Sequence, residues 1–267
     1  MSARATLSHR PRLTASNDAA VESSFADSVA KLLDRVDYRL ADTYEQTEAI
    51  FRLRYQAYLR EASILPNPSR SFSDAYDDMA NACLFGVYID DILAGSIRIH
   101  HVTKEHPECP SVSAFPEFLL PELDAGKVIV DSTRFVSDEA LSRLHRALPY
   151  VTLRVSWLAA GYFGADYSLA AVRAEHQAFY RRNFHHRLLC EPRPYPGLAR
   201  PLSLMTTDYP TVREYVHRRF PCFRSTHFER RMLFEQSRCR VPSAIEPAES
   251  QGDTLPFVEF DASSAAD

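Results

Sequence analysis

Apolar residues recur at helical spacing in some stretches of this chain and alternate or run together in others, and that contrast sets out its elements. Phe25, Val29, Leu32, Leu33 and Val36 follow the capping candidates Ser23 and Ser24 and predict a first helix over 23–36. Its apolar stripe needs a partner. DYRLADT (37–43) alternates like a strand, and TEAIFRLRYQAYLRE (47–61) turns Ile50, Leu53, Tyr55, Tyr58 and Leu59 to one side of a second helix. PNPSRSFSDAYDD (66–78) is too turn-prone for regular structure. Two strong strands follow, 82–89 and 92–102, joined at Asp90-Asp91 as a hairpin. After a second irregular stretch come a strand at 127–136 and a buried helix at 147–164, ended by Gly164 and carrying Trp157 into the core. The pattern closes with a strand at 166–173, a short helix at 175–184, strands at 186–192 and 200–208, and helices at 210–220 and 226–237. Strands and helices in this order predict an α/β sandwich with a largely antiparallel sheet and one local β-α-β crossover.

The two ends break the pattern. Residues 1–22 show no periodicity and are expected to be disordered, and 241–267, with Glu246, Glu249, Asp253, Glu259, Asp261 and Asp267 and no basic residue, is expected to be a disordered acidic tail. A single domain over 23–240, with a helical extension at 210–240, lies between them. Of 267 residues 45% are hydrophobic and 25% charged, which is ordinary globular composition and excludes collagen-like, wholly disordered and disulfide-scaffold chains. A net charge of -4 offers no overall attraction for nucleic acid or an anionic membrane. No apolar run suits a signal peptide or approaches the roughly 18 residues of a membrane span, so the expectation is a soluble, cytoplasmic protein without integral membrane contact. The five cysteines form no C-x-x-C pair and no zinc-spaced cluster with histidine; they are expected to be reduced thiols, Cys83 in the core, and no metal is assigned. None of the seven glycines sits in a dinucleotide or P-loop motif.

Three clusters can carry chemistry. The first is Asp74, Asp77 and Asp78 in irregular sequence before the hairpin, read alongside arginines set among strand hydrophobics: Arg98 in GSIRIH and Arg134 in VDSTRFV. A solvated loop accounts for the acids taken alone. An arginine amid strand hydrophobics, however, must find a carboxylate, because an unpaired buried guanidinium is too costly to desolvate. A network of Asp74 and Asp77 with Arg54, Arg98 and Arg134 satisfies all of them, with structural salt bridges as the plainer reading. Asp131, beside Ser132 and Thr133 at a strand end, is the general-base candidate by position. The second cluster is EHQAFYRRNFHHR (175–187), where an amphipathic helix explains Phe179, Tyr180 and Phe184, and adjacent His185 and His186 point to opposite faces of a strand and make no metal site. The third spans 213–240, with eight Arg against three Glu, among them Arg218, Arg219, Arg230 and Arg231. Arginine suits phosphate and carboxylate recognition. An acidic protein or a phosphopantetheine-bearing donor fits this surface better than nucleic acid does, and a solvated helix face is the plain alternative.

Taken together, FRLRYQAYLRE, SFSDAYDD before FGVYIDD, SIRIH, VIVDSTRFV, YFGADYSLAAVRAEHQAFYRRNF, CEPRPYPGL and LSLMTTDYP resemble the FeeM-type N-acyl amino acid synthases. These are fold relatives of the acyl-homoserine lactone synthases within the GNAT acyltransferase superfamily, and the resemblance covers roughly 38–236. It implies a GNAT-like three-layer sandwich with a mixed, mostly antiparallel central sheet flanked by helices and extra C-terminal helices. In the lactone synthases a helix R-Y-x-x-F, a loop D-x-[FY]-D, a strand Arg and a strand E-x-[ST]-R-F form the substrate-binding and catalytic cluster. The matching residues here are Arg54, Asp74, Asp77, Arg98, Asp131 and Arg134, with Asp131 where the lactone synthases often have Glu. FYRRNF resembles the GNAT pattern F-Y-x-x-x-F, whose tyrosine protonates the departing thiolate, so the resemblance gives Tyr180 that role. The GNAT pyrophosphate loop is missing after VIVDSTRFV, where SDEALSRLHR stands instead. Coenzyme A would lose its backbone cradle; an acyl carrier protein would not need it.

The expectation is therefore an acyltransferase, with no bound cofactor, that moves a long acyl chain from acyl carrier protein to the amine of an amino acid. Asp131, Arg134 and Tyr180 are its catalytic candidates. Arg54, Asp74, Asp77 and Arg98 are its substrate-binding candidates, and Arg218, Arg219, Arg230 and Arg231 those for carrier protein. The alternatives are an acyl-homoserine lactone synthase using S-adenosylmethionine and a non-catalytic acyl- or carrier-binding module.

Overall fold

In the computed structural model, which describes residues 25–235, seven strands form one sheet in the order β1-β2-β3-β4-β5-β7-β6. The strands are β1 (Val36–Leu40), β2 (Ala82–Ile89), β3 (Ile92–Val102), β4 (Ile129–Ser137), β5 (Tyr167–Val172), β6 (Arg187–Tyr195) and β7 (Leu198–Asp208). Every neighbouring pair is antiparallel except β4 and β5. The helices are α1 (25–33), α2 (Tyr44–Arg60), α3 (Pro110–Ala114), α4 (Pro116–Asp124), α5 (Glu139–Leu144), α6 (Leu148–Phe163), α7 (Gln177–Phe184), α8 (Tyr209–Arg219) and α9 (His227–Phe234). The segments 1–22 and 241–267, expected to be disordered, lie outside the described residues.

Period-two alternation along β3 distributes the two faces. Ile97 and Ile99 pair with Phe85 and Cys83 and pack against Val155, Trp157 and Leu158 of the buried helix α6, with α8 and α9 beyond. Arg98 and His100 point to the other face, where α2, α3 and α4 lie. The stripe of α1 finds its partner in Val87, Ile89, Leu148 and Val151. Capping fixes α2: Thr43 accepts from the Gln46 amide while the Gln46 side chain accepts from the Thr43 amide, so the helix begins at Tyr44. Gly164 ends α6 in the left-handed conformation, as its place after the apolar run predicts.

Three helices stand where the sequence pattern predicts no regular element: α3, α4 and α5. Pro110 and Pro116 look like breakers, but each occupies the first turn of its helix, where no amide partner is needed. The first helix also ends earlier than its apolar spacing suggests, because Val36 belongs to β1 and pairs with Ile89. Cys109, Cys190 and Cys222 are free thiols as expected; Cys83, though in the core, is disulfide-bonded, which corrects that expectation. Among the described residues no helix is long and apolar enough to cross a membrane.

Candidate active site

Two irregularities in β4 make the site. Its antiparallel pairing with β3 carries an extra residue: Ser96 faces Val136 but Arg98 faces Thr133, and Arg134 within that bulge adopts φ +52°. Its parallel pairing with β5 lasts only from Ile129↔Tyr167 to Ser132↔Ala170. Beyond that point β4 and β5 diverge, and the gap between them is a cavity of about 440 Å³. One wall is the β4 segment 132–137 and the other the β5 end 170–173. Ala57 and Tyr58 of α2 together with Tyr195, Leu198 and Leu202 line it on one side of the sheet, and Phe179 and Tyr180 of α7 on the other, so the cavity passes through the sheet. Mostly apolar walls with a few placed polar groups are what a ligand pocket needs. Behind Tyr180 a small space of about 20 Å³ is bounded by Trp157, Phe184 and His186. Burial pushes the His186 imidazole down to about 3.

The loop before β2 meets the buried arginines here. Asp74 and Asp77 cap a short 3-10 turn reciprocally: Asp74 Oδ1 accepts from the Tyr76 amide at 3.0 Å and Asp77 Oδ2 from the Asp74 amide at 2.9 Å. Both carboxylates are thereby aimed at the sheet. Asp77 Oδ1 accepts from Arg54 Nη1 at 2.8 Å and lies 2.9 Å from Arg98 Nη1. Asp74 accepts from Arg98 Nη1 at 2.6 Å and from Arg134 Nε at 2.8 Å. Arg98 Nε donates to Thr133 Oγ1 at 3.1 Å, and Arg134 Nη2 to Pro196 O at 2.9 Å. The side chains of Arg54 and Arg98 are 0% exposed, Arg134 1%, Asp77 3% and Asp74 14%. Three guanidinium groups against two carboxylates leave one positive charge, beside the cavity wall. Burial raises the Asp74 carboxyl, but the charges of Arg98 and Arg134 outweigh it and hold the group well below the usual carboxylate range. His100, between this network and Tyr76, donates Nε2–H to Tyr76 O at 3.1 Å; burial and then the Arg98 charge push it down to about 3, so it is neutral.

The structure thus brings Arg54, Asp74, Asp77, Arg98 and Arg134 together, but their access differs. Of the five only Arg134 is among the cavity-lining residues, and its Nη1 makes no hydrogen bond among the described residues. Arg54 and Arg98 stand behind it. Asp131 is fully buried and does not line the cavity; its Oδ1 accepts from Ser111 Oγ at 2.8 Å. Tyr180 lines the cavity, and the protein around it pushes its phenol up, so it is protonated near neutral pH. The C-terminal arginines lie on α8 and α9, away from the cavity lining. Arg218 is exposed, Arg219 Nη1 donates to Tyr215 Oη at 3.1 Å, Arg230 Nη1 donates to Ser225 Oγ at 2.9 Å, and Arg231 pairs with Glu235 at 2.9 Å. Two residues outside the sequence expectation adjoin Asp131 and the cavity: Ser111, in the stretch expected to be irregular, and Tyr195, within CEPRPYPGL.

A family model described as N-acyl amino acid synthase FeeM matches residues 49–208, more than half of the chain and the stretch carrying the network and the cavity. Comparison with curated proteins gives no match. Among solved structures the chain is similar to FeeM, an N-acyl amino acid synthase from uncultured soil microbes, at 18% identity and a TM-score of 0.56, covering 67% of this chain and 94% of that one. It is also similar to a coenzyme A-dependent acyl-homoserine lactone synthase, BjaI, solved with SAM and isopentyl-CoA, at 16% identity and a TM-score of 0.49, covering 70% and 89%. An acyl-CoA N-acyltransferase from Pseudomonas aeruginosa matches at 18% identity and a TM-score of 0.44, covering 64% and 98%. The structural likeness to FeeM is one of fold, and the family match extends over the same core. The chain belongs to the FeeM N-acyl amino acid synthase family and is an N-acyltransferase on a GNAT-like α/β fold.

Proposed function

We propose that this N-acyltransferase moves a long-chain acyl group from the phosphopantetheine thioester of acyl carrier protein to the amine of an amino acid, releasing an N-acyl amino acid and the free thiol. The observation that carries the reading is Arg134: it is the network cation on the cavity wall, held by Asp74 and Pro196 O, with Nη1 uncommitted. A guanidinium fixed on one edge with a free donor suits the acceptor's carboxylate. Asp74 holds it, Asp77 steadies Asp74 by accepting from its amide, and Arg54 and Arg98 neutralise those acids. The apolar walls suit the acyl chain. In the reaction the neutral amine attacks the thioester carbon, strand-edge amides stabilise the oxyanion, Asp131 serves as the proton acceptor, and Tyr180 protonates the leaving thiolate.

The donor assignment rests on the helix that follows β4. Asp138 Oδ1 accepts from the Leu141 amide at 2.9 Å and Glu139 occupies the first turn of α5. Two carboxylates stand where a pyrophosphate would need donors, which disfavours coenzyme A. A carrier protein, generally acidic, would dock on cationic surface such as that carrying Arg218, Arg219, Arg230 and Arg231, and the proposed partners include no nucleic acid. Purified protein incubated with acyl carrier protein loaded with C12 to C18 chains and a mixture of amino acids is expected to give acylated product by mass spectrometry. No product with any amino acid would overturn the proposal.

A further inference from the structure

Asp131 presents a difficulty for acyl transfer: a proton acceptor must reach the attacking amine, and this carboxylate does not line the cavity. Tyr195 does. It closes β6, is buried, and forms part of the cavity wall on the same side of the sheet as Arg134's partner Pro196. Its Oη lies 3.2 Å from Ser111 Oγ, which lies 2.8 Å from Asp131 Oδ1, and the Ser111 amide lies 3.4 Å from Asp131 Oδ2. A serine has one hydroxyl proton. The relay needs Asp131 as the carboxylate: given to it, that proton leaves only a lone pair towards the phenol, and the Tyr195 hydroxyl then donates to Ser111. All three residues are buried, and their contacts run from the cavity-lining Tyr195 to the acid. Asp131 also differs from Asp74 and Asp77 in having no salt bridge among the described residues. A buried carboxylate left without a cation is costly and calls for a use.

We propose, resting on the acyl-transfer reading above, that Tyr195 Oη takes the proton from the acceptor amine and relays it through Ser111 Oγ to Asp131. As the carbon–nitrogen bond forms, the amine proton moves to the Tyr195 oxygen, the phenol proton to Ser111 Oγ, and the serine proton to Asp131 Oδ1. The carbon–sulfur electron pair leaves with sulfur, the thiolate takes a proton from Tyr180, and between turnovers the proton held by Asp131 passes back through Ser111 and Tyr195 to water in the cavity, which reprotonates Tyr180. Nitrogen loses one proton and sulfur gains one. Tyr195 is then a catalytic residue, while Ser111 and Asp131 act through it. The surroundings agree: burial pushes the Asp131 carboxyl above its ordinary range, with Ser111, Cys109 and Arg98 facing it. Arg134 and Cys109 face Tyr195. An acceptor whose carboxylate sits on Arg134 carries its α-amine one carbon further, in a cavity whose wall includes Tyr195.

The test uses the full chain with acyl-loaded carrier protein and the amino acid that the mixture experiment selects, following thiol release against pH. Tyr195→Phe and Ser111→Ala are each expected to lower kcat by about 100-fold, the low end for a lost proton-transfer group, with less change in the acceptor KM. Both are expected to flatten the acid limb of the pH profile. Ser111→Thr, which keeps a hydroxyl, is expected to restore most of the rate, and Asp131→Asn to behave as Ser111→Ala does. If Tyr195→Phe and Ser111→Ala keep kcat within threefold and the wild-type profile, the relay is wrong while acyl transfer stands. If Ser111→Thr is as slow as Ser111→Ala although both fold, the serine is structural and the relay is wrong. A wild type that acylates nothing overturns the acyl-transfer reading and the relay with it.

Discussion

Asp77→Asn removes one of the two acids that neutralise the buried arginines. Asp77 is nearly inaccessible; its Oδ1 serves Arg54 at 2.8 Å and Arg98 at 2.9 Å, and its Oδ2 accepts from the Asp74 amide. In the variant an amide oxygen still faces the guanidinium groups, but the amide nitrogen opposes the Asp74 N–H and the turn loses its reciprocal cap. The local charge rises from one positive to two, in a place that water does not reach. Removing one member of a buried ion pair costs about 3–5 kcal/mol. Because asparagine keeps one acceptor, the lower end, about 3 kcal/mol, is expected. That is a large share of the roughly 5–15 kcal/mol that holds a domain together. For a chain of this size it corresponds to a fall in Tm of roughly 6–12 °C. Urea unfolding followed by Trp157 fluorescence, with circular dichroism beside it, measures the change. Asp78→Asn is the control: Asp78 is exposed, and a change within about 0.5 kcal/mol is expected there. A loss below about 1 kcal/mol for Asp77→Asn, or an equal loss in the control, would refute the buried network.

Other outcomes follow from the same geometry. Gly197 has φ +73°, and a Cβ there would stand 3.0 Å from Arg134 Nη2, so Gly197→Ala is expected to cost about 1–2 kcal/mol and to raise the acceptor KM by displacing the guanidinium. Wild-type stability is expected to fall as pH drops from 6.5 towards 3, by about 1.4 kcal/mol per pH unit from His186, because the unfolded imidazole takes a proton there and the buried one does not. His186→Phe should shrink the stability difference between pH 7 and pH 5 by about 2 kcal/mol in urea titrations; an unchanged difference would show that His186 is not held neutral. Arg218→Glu reverses an exposed, unengaged charge and is expected to raise the KM for acyl carrier protein in about 50 mM salt, with little effect on kcat and less effect near 1 M salt. Equal KM values at low salt would place carrier docking elsewhere.

What could be read from the sequence was whatever local chemistry determines. The hairpin 82–102, with its alternation and acidic turn, was predicted with the bounds that β2 and β3 have. Arg98 inside an apolar strand demanded carboxylates, and the adjacent acidic loop was their nearest source. Helices α3 and α4 were hidden because proline signals a turn and a first helical turn equally well, and only the packing of Phe115, Leu119 and Leu123 under the sheet decides between them. The site's geometry was beyond local reading. An extra residue at Arg134 changes which side chains share a face, but a bulge exists only relative to the partner strand. Pairing along β4 and β5 stops at Ser132 and Ala170 because β5 continues against β7 while β4 turns with its bulge, and the cavity is the space they leave. For the same reason Asp131, well placed in sequence, ends inside the protein, and Tyr195, some sixty residues later, takes the place on the cavity wall. Residue types and spacing specify which groups must be neutralised or buried. Which of them meets the substrate depends on how strands distant in sequence pair and part, and that is settled only when the whole sheet packs.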